Sequence, residues 1–185
     1  MNAPVDVTNI RIETERLLLR PWSASDLEDL YEYASIPGIG EMAGWTHHKS
    51  KEESKTVLSM FIKNKRTFAL ELKENGKVIG SLGLEEGASG KLDECLIGRK
   101  LGYVLHPDYW GRGYMPEAVN AIIQYCFGVL CYDYLLCGCF DRNSRSRRVM
   151  EKCGFCYLEA FDQTVSTGNL EHIKRYAIFN PRKVS

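Results

Sequence analysis

The chain has 185 residues, and 24 Lys plus Arg balance 24 Asp plus Glu, so its formal net charge is zero. At roughly 150 residues per domain this length implies a single domain over 1–185, and 44% hydrophobic with 26% charged residues is ordinary globular composition. The charge balance argues against a global nucleic-acid or membrane-surface binder. No window approaches the ~18 uninterrupted apolar residues of a membrane span, and residues 1–12 show no apolar leader core, so a cytoplasmic protein is expected.

In chain order, residues 10–20 alternate apolar and polar and predict a first strand. Ser25 with Glu28 reads as a capping box, after which Leu27, Leu30, Tyr31 and Ala34 recur at helical spacing until Pro37-Gly38. Ser50 with Glu53 repeats the box ahead of a second helix carrying Val57, Leu58, Phe61 and Ile62. The intervening loop, 38–49, is Gly-rich and holds Trp45, His47 and His48. Phe68, Leu70 and Leu72, then Val78, Leu82 and Leu84, flank Asn75-Gly76 and predict a hairpin with a type I′ turn. A polar stretch, 85–94, leads to a strand at about 97–105.

A glycine turn and a helix follow, the helix with Ala118, Val119, Ile122 and Cys126 on one stripe. A strand at 134–140, a short basic helix at 143–152, and strands at about 156–165 and 171–178 complete the order. The pattern is that of a mixed α/β (α+β) domain.

Seven cysteines in a chain without an export signal read as reduced thiols. Cys153-Gly154-Phe155-Cys156 lacks the second pair a zinc site needs, and Cys137 and Cys139 fit one face of a strand. No metal is expected.

The chemical centre is Trp110-Gly111-Arg112-Gly113, between a strand and a helix. Glycines there allow close backbone approach, and the first-turn N–H groups and the helix dipole favour a phosphate or pyrophosphate. No Lys-Ser/Thr follows Gly113, which excludes a P-loop, and Pro116 stands where a dinucleotide fingerprint places its third glycine.

The stretch GYVLHPDYWGRGYMPEAV, then Asn143-x-x-Ser146, then Glu151-Lys152-Cys153-Gly154-Phe155, resembles the GNAT superfamily of N-acyltransferases. ETERLLLRPW at 13–22 and the Trp-Gly-x-Gly-Tyr turn are similar to its branch of ribosomal-protein N-terminal acetyltransferases (RimJ/RimL-like). The match spans about 11–178.

The resemblance implies a twisted mixed sheet of six or seven strands flanked by about four helices, and acetyl-CoA as cosubstrate. It puts the pyrophosphate on Trp110, Gly111, Arg112, Gly113, Tyr114 and Met115, and the pantetheine arm along the backbone of Val104 and Leu105. Asn143 would bond the pantetheine and Ser146 would lie near the thiol. It further implies direct transfer in a ternary complex to a primary amine, a protein N-terminus or a small molecule, with no nucleic-acid or membrane partner. The enzyme would be a monomer or a homodimer whose last strands pair.

The family's general-acid tyrosine falls on Met150, which leaves Ser146 as the partner of the leaving thiolate. A carboxylate common in the branch falls near Arg99-Lys100-Leu101, which leaves Glu85 as the base. His47 and His48 are weaker bases in this reading, His106 reads as structural, and a water relay with no dedicated base stays open. These two gaps keep open a CoA-binding but catalytically silent domain. Arg142, Arg145, Arg147, Arg148 and Lys152 form a basic cluster that could meet the phosphates of CoA or line a solvated helix face.

Overall fold

A computed structural model describes residues 1–87, 89 and 91–183. Its eight strands are β1 (Ile12–Glu13), β2 (Leu17–Pro21), β3 (Thr67–Leu72), β4 (Val78–Glu85), β5 (Gly98–Leu105), β6 (Tyr134–Phe140), β7 (Cys156–Thr164) and β8 (Leu170–Phe179). The helices are α1 (Leu27–Ala34), α2 (Lys51–Asn64), α3 (Tyr114–Gly128) and α4 (Ser144–Lys152). The strands form one sheet in the order β1-β2-β3-β4-β5-β6-β8-β7. Every neighbouring pair is antiparallel except β5 and β6. The mixed α/β class and the four helices agree with the sequence.

The strand count exceeds six or seven because the stretch 10–20 folds back on itself. Thr14 N–H donates to the Leu17 carbonyl at 2.9 Å, turning one predicted strand into the β1–β2 hairpin. Two further local expectations change. The first helix starts earlier, in a 3-10 turn at Ala24–Asp26 where Ser23 N–H donates to the Asp26 carboxylate at 2.8 Å, so Ser23 and Asp26 replace Ser25 and Glu28. Asp26 is fixed there by Arg20, whose guanidinium reaches it at 2.8 Å and also pairs with Glu71. The β3–β4 turn is a four-residue loop, closed by Leu72 N–H to Lys77 O at 2.8 Å, in which Gly76 alone has a positive φ, +75°. A type I′ turn would require one at Asn75 too.

Helices cover both faces of the sheet. Trp22, Leu30, Tyr33, Leu58, Ala69 and Val78 pack beneath α1 and α2. The larger core joins Leu17, Leu70, Leu101 and Leu135 to Met115, Ala118, Val119, Ile122 and Cys126 of α3, the stripe read from the sequence. Cys137 and Cys139 are both buried, two apart on β6, with Gly138 exposed between them. Burial pushes the Cys137 thiol up to about 12, so it stays protonated and unreactive at neutral pH.

Candidate active site

The parallel pairing of β5 with β6 organises the site. β5 and β6 keep register from Gly98 with Tyr134 to Leu101 with Cys137 and then diverge. Past that point β6 pairs with β8 and β5 with β4. The gap opens into a cavity of about 740 Å³, lined by Leu101–Leu105, the glycine turn, Gly138–Phe140, α4, and the segments 42–44 and 163–166.

Backbone groups face the gap in alternation. The Val104 carbonyl points toward Gly80 on β4, so the polar groups of Tyr103 and Leu105 face the opening. The Leu105 carbonyl accepts from the Trp110 indole at 2.8 Å, which fixes that ring at the end of the strand. Arg145 of α4 stacks on the same indole at 4.4 Å.

At the turn, Gly111 and Gly113 have φ of +74° and +82°, a region that costs other residues strain. Gly113 is the N-cap of α3, so the first-turn N–H groups of Tyr114 and Met115 open on the cavity without intrahelical acceptors. Pro116 offers none. The turn is held from behind: Glu117 accepts from Thr14 Oγ1 at 2.6 Å, Arg16 N at 2.9 Å and Arg16 Nε at 2.7 Å, and Arg16 Nη1 donates to the Arg112 carbonyl at 3.0 Å. Arg16 also lies over the Tyr114 ring at 4.3 Å.

Asn143 and Ser146 both line the cavity. The Asn143 amide oxygen accepts from Ser146 N–H at 3.1 Å and so caps α4, while its Nδ2 donates to the Met42 carbonyl at 3.3 Å, tying the 38–49 loop to the site. Ser146 Oγ lies 2.9 Å from the Tyr103 hydroxyl, which also donates to the Ser146 carbonyl at 3.1 Å. Burial pushes the Tyr103 phenol well above its ordinary value, so it is a protonated donor. The sequence patterns assign no role to the Tyr103 side chain, because its strand parity is legible but its meeting with α4 is not.

Several other expected residues lie away from the cavity wall. Glu85 stands opposite Lys100 in the β4–β5 register, over Gly102, and its carboxylate is 3.4 Å from Arg66 Nε. It borders the lining residues without being one of them. His47 bonds Glu41 at 2.8 Å, buried His48 bonds Ser54 Oγ at 2.7 Å, and His106 accepts from Asp108 N–H at 3.2 Å. Met150 is buried in the core. Of the basic cluster, Arg145, Arg148 and Lys152 line the cavity, while Arg142 reaches Glu171.

A sheet split beside its parallel strands, with a glycine turn capping a helix at the mouth, has a shape that suits an extended, phosphate-ended chain between two strands. Comparison with known proteins gives that class its family. The acetyltransferase (GNAT) domain profile matches residues 16–156, and the chain belongs to that family. It is 26% identical over 160 residues to the uncharacterized N-acetyltransferase YnaD of Bacillus subtilis, covering 86% of this chain and 91% of that one.

Among solved structures it resembles a GNAT-family acetyltransferase from Bacillus anthracis, with TM-score 0.81 and 24% identity over 92% of this chain and 99% of that one. It also resembles a spermidine N-acetyltransferase from Vibrio cholerae solved with CoA and spermine, with TM-score 0.72 and 19% identity over 90% and 97% of the two chains. Membership of this family makes the protein an acyltransferase that takes acetyl-CoA as cosubstrate. The residues present fit that molecule, since the gap offers unpaired strand backbone to an extended arm and the turn offers N–H donors to an anion. Among the described residues no helix is long and apolar enough to cross a membrane.

Proposed function

We propose that the chain is a single catalytic domain of the RimJ/RimL-like branch that moves the acetyl group of acetyl-CoA to a primary amine by direct attack in a ternary complex. The observation that carries this reading is the β5–β6 split, which opens beside Tyr103 and Ser146 and ends at the glycine turn. In this reading the pyrophosphate lies on Gly111–Met115 with Arg145 beside Trp110, and the pantetheine amides meet the backbone of Tyr103 and Leu105 as an added strand would. Asn143 orders the first turn of α4 and can still accept from the arm through its amide oxygen.

The chemistry follows from the hydroxyl pair. The amine nitrogen attacks the thioester carbonyl carbon, a C–N bond forms and the C–S bond breaks, giving an N-acetyl amine and CoA thiol. Gap-facing β5 N–H groups are placed to receive the developing oxyanion. Ser146, backed by the Tyr103 phenol, gives a proton to the leaving sulfur, the task for which the family residue is replaced by Met150. The amine's own proton leaves toward Glu85 at the rim, through water in the cavity. Seven free cysteines fit a reducing compartment such as the cytoplasm.

The deciding experiment measures CoA thiol release with acetyl-CoA and a panel of amines, with product mass. Turnover that needs both substrates supports the reading. Saturable acetyl-CoA binding with no thiol release from any amine would establish the silent CoA-binding domain instead.

A further inference from the structure

The cavity wall is charged on one side of the ledger only. Its described lining includes Lys100, Arg145, Arg148, Lys152 and Arg175, and no Asp or Glu. Arg145, Arg148 and Lys152 project from one helix, and Arg145 stacks on Trp110 at the phosphate turn. They serve the donor end.

Lys100 and Arg175 stand elsewhere. Side chains alternate along β5, so Lys100 shares a face with Gly102 and Val104, opposite to Leu101, Tyr103 and Leu105, which pack toward α3. Arg175 lies opposite Gly138 in the β6–β8 register, and so on the face opposite to Cys137 and Cys139. Lys100 sits where the two parallel strands part, and from there to Leu105 the strand rises about 17 Å. It is too far from the glycine turn to meet the phosphates of the donor.

The Arg175 charge is met by Glu159 at 2.6 Å and by the Phe161 ring at 4.3 Å. Lys100 has no ion-pair partner among the described residues. Its facing carboxylate, Glu85, is engaged by Arg66.

The way in is bridged by two segments. Gly44, from the 38–49 loop, packs against Val165, and its carbonyl accepts from Ser166 of the β7–β8 turn, so the two segments bridge the opening. Ile39, Met42 and Phe140 line the passage. A small molecule with a short apolar body passes more readily than the face of a folded partner.

We infer that the acetyl acceptor is a small primary amine that carries its own anionic group, a carboxylate or a phosphate, received by Lys100 while the amine reaches the thioester. The inference rests on the acetyl-transfer reading for its chemistry and names the acceptor class of that same site. The same geometry disfavours polyamines and aminoglycosides, since their second ammonium would meet Lys100, whose facing carboxylate, Glu85, is already engaged by Arg66.

The test uses the full chain with acetyl-CoA and pairs of amines that differ in the anion. These are free amino acids and their carboxamides, aminoalkyl phosphates and the parent aminoalcohols, with spermidine and an N-terminal peptide amide beside them. Anionic members should exceed their neutral counterparts and spermidine by about tenfold or more in kcat/KM, the size of one hydrogen bond to a charged group. The carboxamide amines are less basic and more often neutral, so a loss there cannot come from protonation.

Which pair shows the larger gap separates carboxylate from phosphate. Lys100→Met should raise the acceptor KM by about tenfold, leave the acetyl-CoA KM unchanged and close the gap between pair members, while Lys100→Arg keeps it.

Binding of the same amines to the CoA-loaded protein is measured by calorimetry in parallel. Charge-selective binding without thiol release would sink the transfer reading and leave only the anion site at Lys100. Equal or better use of spermidine, the peptide or the carboxamides, or selectivity unchanged in Lys100→Met, would overturn it.

Discussion

The Tyr103 hydroxyl lies 2.9 Å from Ser146 Oγ, joining β5 to the first turn of α4 across the open end of the split. The pair puts two hydroxyls on the cavity wall where the family's helix tyrosine is replaced by buried Met150. If the phenol backs Ser146 as proton donor, Tyr103→Phe and Ser146→Ala each lower kcat by about 10- to 100-fold with the acetyl-CoA KM near its starting value. The double variant should lose little more than the worse single one, because the two act as a unit. Steady-state kinetics on the three variants check this, and additive losses would show independent roles.

Gly113 combines a positive φ of +82° with the N-cap of α3, the helix proposed above to meet the phosphates. A Cβ there would stand 3.4 Å from Arg16 Nη2, ordinary contact, so the cost of Gly113→Ala is mainly backbone strain of about 1 kcal/mol. The melting temperature should fall by about 2–4 °C for a chain of this size. The acetyl-CoA KM should rise more than the acceptor KM, as paired titrations of the two substrates would show.

Glu117 receives three hydrogen bonds from Thr14 and Arg16, and Arg16 passes the constraint to the Arg112 carbonyl. Glu117→Ala leaves those donors unpaired and should cost about 1–3 kcal/mol in denaturant unfolding. Arg16→Ala should cost less, since its side chain is 39% exposed. Both should weaken acetyl-CoA binding by loosening the turn, and a cycle between them should give a clear coupling energy.

His48 is buried against Ser54, and burial holds its pKa below the usual histidine value, with Glu53 opposing the shift. The unfolded chain therefore binds a proton at this site more readily than the native one. The stability it allows is present above the unfolded value of about 6.5 and is lost as pH falls below it. Urea unfolding at pH 7.5 and pH 5.5 should show a drop that His48→Gln reduces. An equal drop in both proteins would assign the effect to other groups.

Much of this architecture is legible in local residue patterns. Ala118, Val119, Ile122 and Cys126 recur at helical spacing and are buried where α3 meets the sheet. Ser50 accepts from Glu53 N–H at 3.2 Å, as its capping box requires. The glycine turn was legible because positive φ restricts the choice of residue at 111 and 113. The errors were also local. Ser23 with Asp26 outcompeted Ser25 with Glu28 because Arg20 binds Asp26 while also paired with Glu71 of β3, a partner 51 residues away that no short window contains.

By itself the sequence determined the element types, the glycine turn that opens α3 and the family, since each rests on spacing within a few residues or on motifs in a fixed order. Only the tertiary structure decided what surrounds the gap. Tyr103 and Ser146 are 43 residues apart and meet because β5 and β6 run parallel for one short stretch and then part. The same parting placed Glu85 at the rim and Lys100 on the wall, a choice between adjacent strands that depends on register and face. Local pattern reports which side of a strand is apolar; which polar side chain inherits a cavity depends on where two distant strands separate.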